Sequence, residues 1–270
     1  MKGFLLLTVL LGTLLLGACG PSATVMTAPE PATLTVFAAA SLTDAFNEIG
    51  ANLEAANPGL EITFNFGGSQ TLRTQIEEGA PADVFASANQ KEMDAMVAGS
   101  FVNADHVEKF ISNRLIVIMP ADNPAGLESL ADLAKPGVKL VLAAQEVPVG
   151  NYTLQVFDKL NVSLEAGFKD KALANVVSYE NDVRQVVAKV QLGEADAGVV
   201  YGSDAVAVLA LEKIDIPVAE NIVALYPMAA LEQSANGELA QAFIDYALSD
   251  EGQAILQKWG FLPVEHRARP

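Results

Sequence analysis

The sequence predicts an α/β fold in which two lobes, each a mostly parallel sheet flanked by helices, enclose a ligand cleft. Three observations lead there. From residue 34 onward, short aliphatic runs alternate with helix-periodic segments, the pattern of a largely parallel sheet. The apolar runs at 113–120 and 222–227 suit a chain that leaves one lobe, builds a second and returns. Two strand-like runs end in small residues and a serine, Ser41 and Ser69, immediately before a helix. That puts hydroxyls at the C-terminal ends of strands, where such folds bind ligands.

The elements follow in order. Residues 34–39 (LTVFAA) form the first strand. Ala45, Phe46, Ile49 and Leu53 keep helical spacing up to the stop signal Asn57-Pro58-Gly59. Residues 60–66 alternate as a strand, Gly67-Gly68 turns, and Leu72 and Ile76 mark a helix ending at Gly79. A third strand covers 82–86 and a third helix 90–98. Residues 113–120 (NRLIVIMP) are a strongly apolar strand, followed by a Pro- and Gly-bearing stretch up to Gly126. Next come a strand at 138–144, a helix at 151–160 behind a Pro-Val-Gly turn, a helix at 182–192 and a strand at 197–200. A return strand at 222–227 and closing helices at 239–248 and 253–259 complete the chain. The lobes are expected at 34–116 with 225–270, and at 117–224.

The residues before this body read as a leader. Lys2 gives a positive start, residues 4–16 are almost wholly apolar, and Leu16-Gly17-Ala18-Cys19 looks like a bacterial lipobox. The apolar run is too short and wrongly flanked for a spanning helix. Residues 1–18 are therefore expected to be a lipoprotein signal peptide, with Cys19 lipidated and 19–33 a flexible linker. A linker of this composition reaches roughly 20 Å on average. Cys19 is the sole cysteine, so disulfides within the chain are excluded. The expected location is extracytoplasmic, anchored to the membrane.

The formal net charge is −17, which argues against nucleic acid as a partner. It would also repel anions at long range, so an anion site here has to work through local dipoles. Four helix starts have that character. They are Ser41, with Ser-Leu-Thr-Asp44 matching a capping box, then Ser69, then Val149-Gly150-Asn151, and then Asn181-Asp182-Val183-Arg184. Free N–H groups at a helix start favour negative charge. Val149 and Val183 have no polar side chain and can serve an anion only through backbone N–H. Taken singly, each start is an ordinary capped helix.

Together, AAASLTDAF, GGSQTLRTQIEEG, GAPADVFASANQKEMDAM and DVR…GVVYGSDA resemble the molybdate-binding proteins of bacterial ABC importers. The closing DEGQAILQKWGFLPV is similar to the end of the wider solute-binding class. The resemblance covers residues 34–264 and implies the two-lobed periplasmic-binding-protein fold, with one tetrahedral oxyanion in the interlobe cleft. It implies ligand contacts from Ser41, Ser69 and the Tyr201 hydroxyl, and from the backbone N–H groups of Val149 and Val183. Val149 departs from the family, placing a β-branched residue where a small one is usual. The implied ligand is molybdate or tungstate and the implied partner an ABC permease. No cofactor, no direct protein ligand to the metal of the oxyanion, and a monomer are expected.

Neutral donors hold a dianion without a counter-ion when their dipoles are fixed in advance. A donor-only site accepts fully deprotonated molybdate, tungstate or sulfate. It penalises protonated phosphate, because a buried unpaired group costs about 1–3 kcal/mol. Arg73 and Arg184 follow proposed ligand groups closely, yet read as surface residues or ion-pair partners behind the ligand. Asp44 and Asp182 read as helix caps, and Trp259 and Phe261 as packing. Tyr152 and Tyr179 lie near the cleft without an assigned role. His106 and His266 lack partners at metal-ligand spacing. Two alternatives stand: the same fold binding another oxyanion such as sulfate or phosphate, and a lipid-anchored serine hydrolase. The second lacks a G-x-S-x-G elbow, an S-x-x-K pair and a histidine placed as base.

Overall fold

The structure is a computed structural model that describes residues 32–264. The expected leader, Cys19, most of the linker and His266 lie outside the described residues. No helix among the described residues is long and apolar enough to cross a membrane.

Strands run in the order β2-β1-β3-β9-β4-β7-β5-β6, with β8 on β4. In the first lobe, β1 (Ala32–Ala39) lies parallel to β2 (Leu60–Gly67) and β3 (Val84–Ala86). In the second, β5 (Leu140–Ala143) lies parallel to β6 (Val176–Glu180) and β7 (Ala197–Tyr201). Two longer strands join the lobes. β4 (Glu108–Pro120) pairs antiparallel with β9 (Val223–Ala230) as far as Arg114, then takes β7 and β8 (Leu211–Asp215) as partners from Leu115 onward. Parallel strands buried on both faces need aliphatic residues on both sides. Val36, Ala38, Val84, Val141 and Val200 are accordingly fully buried.

Helices cover the sheets. They are α1 (Thr43–Ala56), α2 (Ser69–Glu77), α3 (Gln90–Ala98), α4 (Pro148–Ser163) and α5 (Phe168–Ala174). The remainder are α6 (Val183–Gln191), α7 (Gly202–Ala207), α8 (Gly237–Leu248) and α9 (Asp250–Lys258). The face of α1 carrying Ala45, Phe46 and Ile49 is the buried one, as its spacing predicts. Phe46 anchors that contact. It packs edge-on to Phe243 at 5.3 Å, with Phe110 at 6.0 Å and Phe64 at 6.2 Å between ring centroids.

The sequence expectations miss in places where apolar periodicity is weak. β4 begins at Glu108, not 113, because a bulge between Lys109 and Ile111 breaks the alternation there. α5 buries only Phe168 and Ala172, so its helical stripe is two residues long. β6 exposes Val177 and Tyr179 and buries only Glu180, β8 is mostly exposed and polar, and α7 is a single short helix after Tyr201. The expected capping box at Ser41 is absent. Residues Ala40–Leu42 form a tight 3-10 turn, α1 starts after Leu42, and no side chain caps it.

Phe46→Ala removes a ring surrounded by three others and should cost about 3–5 kcal/mol of unfolding free energy. The check is a lower urea midpoint with an unchanged slope.

Candidate functional site

All five residues singled out from the sequence meet in one cavity between the lobes. Ser41, Ser69, Val149, Val183 and Tyr201 line it, with Gly68, Ala88 and Pro148 among their neighbours. Space for the centre of a water-sized body is only about 10 Å³, close to what a single water molecule needs and far below organic-ligand pockets. Each residue arrives the same way, at the C-terminal end of a strand where the next helix begins. β1 leads to Ser41, β2 to Ser69, β5 to Val149, β6 to Val183, and β7 ends at Tyr201.

Local sequence explains each placement. Pro148 occupies the first turn of α4, where its missing N–H is no loss. Gly150 is forced, since a Cβ there would lie 2.0 Å from the Ala144 carbonyl oxygen. Val149 is thereby held in the first turn with its N–H outside the helical ladder. The bulk of its β-branched side chain is fully buried away from solvent. Val183 opens α6, and Asp182 caps that helix by accepting the Gln185 N–H at 3.0 Å. The cap satisfies a later N–H and leaves the earliest ones, including that of Val183, without a helical acceptor. Gly68 stands where the lobes touch, because a Cβ would come within 2.5 Å of the Asn181 carbonyl oxygen.

The hydroxyls are buried and mostly engaged from behind. The Ser69 hydroxyl accepts the Ala88 N–H at 3.0 Å, so its own hydrogen is free to donate. Ser41 Oγ is 2.9 Å from the Tyr226 hydroxyl. Tyr201 is 1% exposed and its hydroxyl has no hydrogen-bond partner, a costly arrangement unless something in the cavity accepts from it. Burial, then the neighbouring Tyr226, Tyr152 and Asp204, push its pKa well above 10. Tyr201 therefore stays protonated and acts as a donor.

No cation faces the cavity from its lining residues. Arg73 pairs with Glu92 at 2.7 Å and with Glu77. Arg184 pairs with Asp44 across the cleft and with the fully buried Asp204 at 3.0 Å. Both arginines are thus committed to carboxylates, as their sequence reading held. Asp44 is corrected: it is an ion-pair partner of Arg184, not a cap, because the chain enters α1 through the 3-10 turn. Trp259 donates to Glu48 at 2.7 Å, and Phe261 packs edge-on to Tyr226 at 5.6 Å. His106 sits exposed in a short 3-10 turn and does not line the cavity. Sequence reasoning missed Tyr226 and Asp204. A tyrosine inside the apolar run IVALYPM, and an acid inside VVYGSDA, were the available signals.

Residues 34–262 match the family described as bacterial extracellular solute-binding protein. The chain belongs to that family. Within this family of solute-binding proteins it is 37% identical, over 90% of its length and 91% of the relative, to the molybdate-binding protein ModA of Mycobacterium tuberculosis. It is 31% identical, over 96% and 98%, to a putative ABC transporter substrate-binding lipoprotein, YvgL, of Bacillus subtilis. The periplasmic molybdate-binding protein of Azotobacter vinelandii shares its fold, with a TM-score of 0.75 at 21% identity over 86% of this chain and all of that one.

Asp204 makes stability depend on pH. Burial raises its carboxyl to about 7, despite the Arg184 guanidinium, which pulls it down. A raised folded-state pKa stabilises fully below the unfolded value near 3.8 and loses that contribution as pH climbs through about 7. Asp204→Asn should therefore gain stability relative to the parent between pH 4 and pH 8, by a few kcal/mol over the window. Urea unfolding of both proteins across that range checks it; parallel curves would remove Asp204 as the cause.

Proposed function

We propose that this chain captures molybdate, and the near-isosteric tungstate, outside the cytoplasm and delivers it to an ABC importer. The observation that carries this reading is a small cavity onto which Ser41, Ser69 and Tyr201 bring hydroxyls and Val149 and Val183 bring helix starts, while the one carboxylate of its lining, Asp182, is engaged by Gln185. Its three hydroxyls and helix-start N–H groups suit a compact dianion. Both nearby arginines are neutralised by carboxylates, so no positive side chain is offered to the ligand. The name borne by the Mycobacterium tuberculosis relative selects molybdate among such anions. Ligand contacts are assigned to Ser41, Ser69 and Tyr201 through hydroxyls and to Val149 and Val183 through backbone N–H.

Lobes of 34–116 with 225–270, and of 117–224, would close on the anion and present one closed surface to the permease. Support for that division comes from the change of partner along β4 at Leu115. We further infer a monomer tethered through lipidated Cys19, a reading supported by the lipobox-like LGAC and by the lipoprotein relative. Catalysis forms no part of the reading. The Ser41 and Ser69 hydroxyls are engaged by Tyr226 and Ala88, not by a base.

Calorimetric titration of anion-free protein with molybdate, tungstate, sulfate and phosphate tests the ligand. Molybdate and tungstate should bind comparably and far more tightly than phosphate; preference for sulfate or phosphate would overturn the assignment. Ser41→Ala and Ser69→Ala should each weaken molybdate binding by roughly 1.5–3 kcal/mol, the worth of a charge-assisted hydrogen bond. Each substitution also strands a buried partner, the Tyr226 hydroxyl or the Ala88 N–H, so both variants should melt below the parent. Unaltered affinity in both variants would remove these serines from the site.

A further inference from the structure

We propose that Asp44 and Arg184 form a clasp between the lobes that holds the start of α6 over the bound anion and sets the rate of its release. The proposal rests on the oxyanion-binding reading above. Asp44 lies three residues beyond Ser41 on α1, and Arg184 directly follows Val183 on α6. Their ion pair therefore joins the helix behind one proposed ligand hydroxyl to the helix bearing a proposed ligand N–H. The same stretch is met from α2 as well. Gln70, next to Ser69, donates its amide to the Asn181 carbonyl at 3.4 Å. Gly68 lies so near that oxygen that a Cβ would come within 2.5 Å of it. Residues 181–184 are thus held by both serine-bearing helix starts, with Val183 between the two points of contact.

The two partners of Arg184 differ in kind. Asp204 is fully buried, lies 3.0 Å from the guanidinium, and accepts the Tyr201 N–H at 3.3 Å through its other oxygen. That contact is internal to the second lobe, so rotation of the lobes leaves it intact. Asp44 comes from the first lobe and makes no cap hydrogen bond on its own helix. Its pair with Arg184 is made only in the closed arrangement. An interaction made in one state alone shifts the equilibrium between the states by its own strength. The clasp therefore favours closure, and release, which needs opening, is slowed by the same factor. Capture starts from the open arrangement, where the pair is broken, and is unaffected. The side chains are 31% and 27% exposed, so salt screens the pair less than one on the open surface. Asp44 is also a negative charge near an anion site. Through charge alone, its removal would tighten anion binding; through the clasp, its removal weakens binding. Direction separates the two effects.

The parent, Asp44→Ala, Arg184→Gln and the double variant are loaded with isotopically labelled molybdate, and release is followed in an excess of unlabelled molybdate. Calorimetry gives the affinity, release and affinity together give the capture rate, and thermal melting checks folding. Release should be about fivefold faster in Asp44→Ala, with capture changed less than about twofold. On the Arg184→Gln background the same substitution should alter release less than about twofold. Unchanged or slower release, a loss confined to capture, or an equal acceleration in both backgrounds would overturn the clasp. If Arg184→Gln does not fold, because it strands the buried Asp204, the split between release and capture in Asp44→Ala decides alone. Failure of the parent to bind molybdate overturns the function above and the clasp with it; normal parental binding with unchanged release in Asp44→Ala overturns the clasp alone.

Discussion

Backbone N–H groups at a helix start have no acceptor within the helix, and once water is excluded each needs one from elsewhere. This chain builds its cleft around that constraint. Four strands end at helix starts that face one small cavity, and the residues chosen there are those that expose backbone. Gly68 and Gly150 allow approach, Pro148 starts a helix without needing its N–H, and alanines keep the walls thin. The orphaned Tyr201 hydroxyl adds to the same unmet demand. An anion supplies at once what every one of these groups lacks.

The surrounding charges are arranged so as not to interfere. Arg184 follows Val183 directly and could have reached the ligand, yet Asp44 and Asp204 hold it. Because Asp44 belongs to α1 and Arg184 to α6, their pair spans the two lobes. The buried Asp204 ties the same guanidinium to the end of β7. One cation thereby joins the elements bearing Ser41, Val183 and Tyr201 without contributing a positive charge to the cavity. Neutrality is maintained by pairing, in a protein whose overall charge is strongly negative.

Much of this was legible in the sequence, and the reasons are specific. β1 and β5 are short apolar runs ending in alanine, β2 alternates and ends in glycine, and β7 is a buried run ending in Tyr201, so the alternation of strands and helix starts could be read from order alone. Ser41, Ser69, Val149 and Val183 were readable as helix starts after strands, while Tyr201 as a ligand group came only with the resemblance to molybdate-binding proteins; strand-end topology places all five together. What escaped depends on contacts between distant segments. The Ser41 to Tyr226 bond joins residues 185 apart, and nothing local marks it. Asp44 looked like a cap because Ser-Leu-Thr-Asp fits the box; a tight turn that buries Ser41 sideways was the competing solution, and tertiary contact with Tyr226 decided it. β6, β8 and α5 lack a wide apolar stripe, so periodicity could not announce them.

The paired strands that join the lobes carry a mechanical consequence. β4 and β9 are hydrogen-bonded to one another up to Arg114, and their register is pinned by the bulge at Lys109–Ile111. Sliding one strand along the other would break every bond of that ladder, while flexing the ribbon breaks none. Any relative motion of the lobes that keeps this ladder intact would be a rotation, with the change of partner at Leu115 as its fulcrum. Groups far from the fulcrum part widely for a small turn, and groups beside it hardly at all. Tyr201 pairs with Leu115 itself, so it lies at the axle, while Gly68 and Asn181 meet at the jaw. Rotation about such a fulcrum would open the cavity from the outside inward, with the grip nearest the pivot the last to loosen.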